Sequence, residues 1–158
     1  MQDILELIIL TLAPFLELRA SIPYGILVKQ MNIAAVFIIC VITNILLAPV
    51  VYIFVDKFIH LFFYFKPLEK LYHKYVEKTQ KKIHKYVEKY GTIGVAIFIG
   101  IPLPGSGVYS GALGSYVLGL GFKKFMLAAA LGVLIAAVIV TAVTFVGLNG
   151  LSIFVKLI

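Results

Sequence analysis

Residues 101–115 read IPLPGSGVYSGALGS: two prolines and four glycines inside an apolar stretch that otherwise has the make-up of a membrane-spanning helix. In hydrocarbon every backbone amide and carbonyl needs a partner within the protein, so a lipid-exposed spanning helix would not tolerate Pro102, Pro104, Gly105 and Gly107 packed so tightly. The stretch is therefore read as a place where the chain turns around inside the protein. The fold follows from asking what surrounds it.

The surroundings are hydrocarbon-like. Aliphatic, aromatic and cysteine residues make up 62% of the chain, and the mean hydropathy is +1.07. Both values are far above an ordinary soluble domain and mark an all-α integral membrane protein. A chain of 158 residues offers one domain with few spans, so a homo-oligomer or internal symmetry is expected. The N-terminus, MQDILELIILTLAPF, carries Asp3 and Glu6 where a secretory signal has positive charge, and reads as mature structure.

Two segments have the length of uninterrupted spans, 33–55 and 125–148. The first contains Asn44, whose ordinary role would be an interhelical hydrogen bond, and Pro49. The second sets Ala128, Gly132 and Ala136 at four-residue spacing, a small-residue face that admits another helix closely. Two further apolar stretches, 4–28 and 92–121, are each interrupted. In the second the break is the stretch quoted above; in the first it is PFLELRASIPYG, residues 14–25, with Glu17 and Arg19 near its centre. Each reads as a re-entrant hairpin, an apolar half-helix in, a broken tip, and a half-helix out on the same side.

Hairpin plus span therefore occurs twice, in residues 1–56 and 91–158. At an offset of ninety residues Pro14 falls on Pro104 and Ala20 on Ser110. A hairpin returns to its own side and one span crosses, so the second unit must begin on the opposite face, which makes the repeat inverted. The charges agree. Fourteen Lys and Arg stand against seven Asp and Glu, and nine lysines fall in the connector, residues 57–90. With that connector cytoplasmic, Lys123 and Lys124 join it inside while Lys29 and Lys156 lie outside, the positive-inside bias, and both termini lie on the outer side of the cell membrane.

The connector has a helical apolar stripe rich in tyrosine and a lysine-rich opposite side, with Pro67 at its start and Gly91 after its end. It reads as a basic amphipathic helix suited to the headgroup region, with a solvated arm or a helix pairing with its copy in an oligomer as the alternatives. Lys70, Lys74, Lys78, Lys81, Lys85 and Lys89 would face anionic membrane lipid rather than nucleic acid. HKYVEK occurs at 73–78 and again at 84–89, which puts His73 and His84 about 16 Å apart along a helix, too far to share a metal. The single Cys40 excludes an intrachain disulfide or a thiolate cluster. No metal or cofactor is expected. Neither is catalysis, for the chain contains no P-loop, HExxH or GxSxG sequence.

Opposed hairpins would bring Glu17, Arg19, Ser21 and Pro23 near Pro102, Pro104, Gly105, Ser106, Gly107, Tyr109 and Ser110 at mid-membrane depth. Broken helices there offer amides where the helix dipole favours anions, and carbonyls at the opposite ends. Glycine lets a substrate reach the main chain. Glu17, an ionisable group in a low-dielectric place, fits a proton-coupling role. Arg19 can hold a phosphate or carboxylate through two parallel hydrogen bonds. Two residues apart on a helix they point away from each other, so the pair meets only if the tip is unwound. The same two residues could instead simply tie the tips together.

LELRASIP, residues 16–23, and IPLPGSGVYSGALGS resemble the paired motifs of the small multidrug export proteins, a family of small prokaryotic membrane proteins, over nearly the whole chain. That family is similar in turn to the DedA/VTT superfamily, which includes the SNARE-associated Golgi proteins. The resemblance implies two inverted re-entrant hairpins, each packed on a transmembrane helix. It also implies movement of lipids across bilayers, by scrambling of phospholipids or flipping of polyprenyl-phosphate carriers, with proton coupling in some members. By position it carries the acidic residue of the first hairpin to Glu17 and the glycine-proline tip to residues 102–107. DedA proteins place a basic residue in the second hairpin, where this chain has Tyr109 and Ser110; Arg19 is the basic residue available to replace it. The expected function is a transporter or lipid translocase for an amphiphilic, anionic substrate. The alternatives are a small multidrug exporter, or a non-transporting membrane organiser.

Overall fold

A computed structural model describes the backbone of residues 2–62, 78–103 and 105–156, with the side chains of 60–62, 78–86, 88 and 148–156 outside the description. Pro104, Lys70, Lys74, Pro67 and the first HKYVEK copy up to residue 77 lie outside the described residues, as do the side chains of Lys78, Lys81 and Lys85. The described elements are all helical: α1 (Gln2–Leu12), α2 (Glu17–Pro23) continued by a π-helical turn (Tyr24–Val28), α3 (Ile33–Phe62), α4 (Lys78–Gly100), α5 (Val108–Val117) and α6 (Phe122–Lys156).

Two of these are long and apolar enough to cross a membrane, at Ile33–Ile59 and Phe122–Gly147. They run antiparallel. Near the start of α3, Asn32, Ile33 and Phe37 share a groove with Thr141 of α6, while further along Tyr52 stacks on Phe125 with ring centroids 5.0 Å apart. Outward side chains such as Ile42, Leu46, Leu131 and Val138 are exposed and apolar, as a surface solvated by lipid tails requires.

The remaining helices form two hairpins against this pair. In the first, α1 and α2 fold back on each other, and at their open end Lys29 Nζ meets Glu6 at 2.7 Å and Asp3 at 2.9 Å. The return limb climbs α3 in steps of four residues. A Cβ on Gly25 would lie 2.9 Å from the Val36 methyls, Ser21 Oγ donates to Cys40 Sγ at 3.2 Å, and Asn44 Nδ2 donates to Glu17 Oε2 at 3.4 Å. The ladder ends near the middle of α3. The second hairpin, α4 with α5, meets α3 from further along the chain, with Tyr52 Oη donating to the Leu120 carbonyl at 3.0 Å.

The small-residue face of α6 is spent inside the molecule. A Cβ on Gly132 would stand 2.7 Å from the Ala96 carbonyl oxygen, and Ala128 and Ala136 are buried. α4 therefore packs backbone to backbone on α6. Replacing Gly132 with a larger residue would force the two apart.

One element differs from expectation. Gly91 does not end the basic helix; α4 runs unbroken from Lys78 to Gly100 and contains no proline. From Lys78 on, the lysine-rich segment thus continues the axis of the second hairpin's entering limb. Gly91 has a packing reason instead, since a Cβ there would press on Leu120 Cδ1 at 2.9 Å. At the other bounds α3 extends seven residues past 55, and α6 begins at Phe122 and runs to Lys156.

Candidate functional site

The two broken tips touch. Glu17, Arg19, Ser106, Gly107, Tyr109 and Ser110 come together, with Asn44 of α3 closing one side. Ser21 lies one turn deeper in the first hairpin, bonded to Thr11 and Cys40 rather than to the second tip. Pro23 ends α2, just before the π-helical turn, with Lys29 N–H bonding back to the Tyr24 carbonyl at 3.1 Å. Pro102 and Gly105 belong to the loop that turns the second hairpin.

The first tip is unwound where the pairing requires it. Phe15 has φ 68° and Glu17 has φ 45°, both left-handed conformations that side chains rarely adopt. Each costs about 1–3 kcal/mol and persists only where its surroundings over-determine it. The result is that Glu17 Oε2 and Arg19 Nη1, two residues apart, lie 3.4 Å from one another.

Each of the two charges then serves one end of the opposite hairpin. The carboxylate of Glu17, 2% exposed, sits on the first turn of α5, accepting Val108 N–H at 3.1 Å on Oε2 and Tyr109 N–H at 3.4 Å on Oε1. It thereby fills orphan donors at the positive end of a helix dipole. Gly107 makes room: a Cβ there would overlap the carboxylate. Its own N–H is taken by Ser110 Oγ at 2.9 Å. The guanidinium of Arg19 works at the negative end. Its Nη2 donates to the carbonyls of Ile99 at 3.0 Å and Ile101 at 3.2 Å, where α4 ends, and to the Ser106 carbonyl across the loop. Ser106 Oγ lies 2.5 Å from the Ile101 carbonyl.

The main chain of the second tip is therefore covered, not bare. The donors and acceptors that its broken helices expose are occupied by Glu17 and Arg19 of the first tip and by its own Ser106 and Ser110. Arg19 Nε and Asn44 Oδ1 are buried with no hydrogen-bond partner, so polar capacity remains at the junction.

Three features add to the sequence reading. Asn44, fully buried, makes the interhelical hydrogen bond expected of it, but to the Glu17 carboxylate, as its fourth partner. Thr11 Oγ1, 2.7 Å from Ser21 Oγ, joins a buried hydroxyl chain running from Leu7 O through Ser21 to the Glu17 carbonyl. Tyr109 Oη donates to the Leu12 carbonyl at 2.6 Å, tying α5 to the end of α1. Only Asn44 left a trace in sequence, as a polar residue in an apolar span. Among the described residues no cluster of three or more His, Cys, Asp or Glu could hold a metal.

Two apolar helices of spanning length, framing two hairpins whose tips exchange charge for helix ends, make this an all-helical protein with two candidate membrane spans among the described residues. Residues 17–139 match the family described as "Putative small multi-drug export protein", and the chain belongs to that family. No curated protein and no solved structure matches it.

Proposed function

We propose that the protein is a membrane transporter whose working part is the hairpin junction, moving an amphiphilic, anionic molecule such as a lipid phosphate. The observation that carries this is the seat of the Glu17 carboxylate, held by helix-end amides, Asn44 and Arg19. These donors would suit a phosphate or carboxylate equally well, so a substrate headgroup can replace Glu17 there. Glu17, displaced or protonated in exchange, is the coupling residue in this reading.

The topology we infer is inverted. The open end of the first hairpin lies toward the start of α3 and that of the second toward its far end, with Glu17 and Asn44 between them. Exposed Lys57, Lys89, Lys123 and Lys124 gather at the far end, which we assign to the cytoplasm, while Asp3, Glu6 and Lys29 mark the outer end. Both hairpins are then re-entrant, and lipid translocation of the DedA kind follows by analogy of architecture.

The test is reconstitution in liposomes, following passage of fluorescent anionic and zwitterionic lipids across the bilayer. Glu17→Gln and Arg19→Gln are each expected to cut anionic transport at least roughly tenfold, the loss of about 1.4 kcal/mol of barrier stabilisation. Transport unchanged by both substitutions, or absent from the unmodified protein, would overturn the reading. The family description favours a second one, drug export, in which Glu17 pairs with a lipophilic cation. It predicts instead that expression raises drug tolerance and that Glu17→Gln abolishes the gain.

A further inference from the structure

Asn44 is satisfied at one end only. It is fully buried in α3, and its Nδ2 donates to Glu17 Oε2 at 3.4 Å, a long bond. Its Oδ1 is buried with no hydrogen-bond partner among the described residues. A buried acceptor left open carries a desolvation penalty, so an asparagine at this depth of an apolar span needs a reason. Glu17 supplies one. As a carboxylate it accepts from Arg19 Nη1, Asn44 Nδ2, Val108 N–H and Tyr109 N–H, and all four of these groups are donors. A proton on Oε2 makes the carboxyl a donor in its turn, and that O–H then needs an acceptor. The backbone amides and the guanidinium have no lone pair to give.

The carbonyls of Ile99, Ile101 and Ser106 already accept from Arg19, and that of Gly107 accepts from Gly111 N–H at 2.8 Å. Asn44 Oδ1 is an open acceptor on a group that already touches Oε2. The two ends of a side-chain amide are nearly equal in size, so half a turn about Cβ–Cγ puts Oδ1 where Nδ2 stood without moving a neighbour. We propose that Asn44 is the positioning residue for a proton on Glu17: its amide gives an N–H to the carboxylate and, turned over, accepts the O–H of the carboxylic acid. One proton from the aqueous phase is taken up by Oε2, and no other covalent bond changes. One end of the amide is unpartnered in either state, so the turn sacrifices no hydrogen bond. The other ionisable groups stand aside. Tyr109 turns its Oη to the Leu12 carbonyl, Cys40 accepts from Ser21, and Asp3, Glu6 and Lys29 pair at the open end of the hairpin. α4 has none from residue 91 to 100, and α6 none between Lys124 and Lys156. This rests on the coupling role given to Glu17 above and deepens it, naming what receives the proton's hydrogen bond.

The experiment is infrared difference spectroscopy of the full chain in liposomes, acidic against neutral pH, with Glu17→Gln identifying the band of the protonated Glu17 carboxyl. In the native chain that band is expected at the lowered frequency of a hydrogen-bonded acid. Asn44→Leu keeps the branch at Cγ and removes the acceptor, and should move the band to higher frequency, toward that of a free acid. If the leucine variant fails to fold, asparagine labelled with carbon-13 at the side-chain carbonyl reads the same turn. The label is confined to Asn44 by Asn32→Ser and Asn149→Ser, and its amide band should fall in frequency as the Glu17 band appears. An unshifted carboxyl band in Asn44→Leu, or a labelled amide band indifferent to pH, overturns the proposal and leaves the coupling role of Glu17 standing. Absence of any Glu17 carboxyl band at every pH where the chain stays folded overturns both. A chain that shows the shift but moves no lipid keeps the role of Asn44 and loses the transport reading.

Discussion

The two hairpin tips solve the same problem by opposite means. Both interrupt a helix at the level of mid-α3, and both leave helix ends to be satisfied. The second does it with glycine and proline, whose backbone can be approached but which bring no charge. The first keeps two charged side chains and twists Phe15 and Glu17 into left-handed conformations to aim them. The partnership is complementary: one tip supplies bare main chain, the other the anion and cation that cover its positive and negative ends. Neither would be stable in hydrocarbon alone.

The most damaging way to break the complementarity is to remove the cation. Arg19→Leu takes a donor from the carbonyls of Ile99 and Ser106, leaves that of Ile101 to Ser106 and Leu103 alone, and deprives the Glu17 carboxylate of its counter-charge. A loss of roughly 3–5 kcal/mol is expected, measured by unfolding in detergent. Near-normal stability in this variant would mean that the tips do not depend on each other.

A subtler substitution separates the two kinds of glycine in the second tip. Gly107 has ordinary extended dihedrals, φ −130° and ψ −162°, and is small only because the Glu17 carboxylate occupies the space. Gly107→Ala should cost about 1–3 kcal/mol. Most of that increment should vanish in a Glu17→Ala background, a coupling within the roughly 0.5–3 kcal/mol seen for touching residues. Gly105, at φ 87° with open space around it, carries a conformational cost of about 1–2 kcal/mol on going to alanine. That cost should be the same with or without Glu17. Equal behaviour of the two glycines would remove the distinction.

The smallest effect lies at the open end of the first hairpin, where charges meet in water. Hydrogen bonds from Lys29 hold the Asp3 and Glu6 carboxyls below their usual range, Tyr24 adding to the effect at Glu6, and the same two bonds hold Lys29 above its own. Depressed carboxyls stabilise the fold above their unfolded values and lose that contribution as pH falls through the lowered ones. The raised lysine contributes below its unfolded value and loses it as pH climbs past. The melting difference between the native chain and Lys29→Gln should thus be flat from neutral pH to about pH 9, shrinking in acid and in strong base. A difference that peaks outside that plateau would contradict the assignment.

These contrasts also explain what could be read from the sequence. The tips were legible because proline, glycine and charge are expensive in hydrocarbon, so Pro102, Gly105, Glu17 and Arg19 announce themselves. That Glu17 and Arg19 could tie the tips together was legible too, but not which amides and carbonyls they take, because that depends on φ values at Phe15 and Glu17 that neither residue type favours. The continuation of α4 through Gly91 was hidden for a related reason. A glycine after a periodic helix reads as a stop, yet Leu120, twenty-nine residues on, is what requires it to be small. The contacts among Thr11, Ser21 and Cys40 join three elements through residue types too common in helices to be noticed.

The proposed topology requires each hairpin to return to the side it came from, and sidedness of labelling tests it directly. In a Cys40→Ala background, Lys29→Cys, Lys89→Cys and Lys123→Cys would each be exposed to a membrane-impermeant thiol reagent from one side of sealed vesicles. Labelling of positions 89 and 123 from a common side, with 29 reached from the other, is the predicted result. Positions 89 and 123 reacting from opposite sides would make residues 92–121 a full crossing, and the meeting of two tips inside the membrane could not stand.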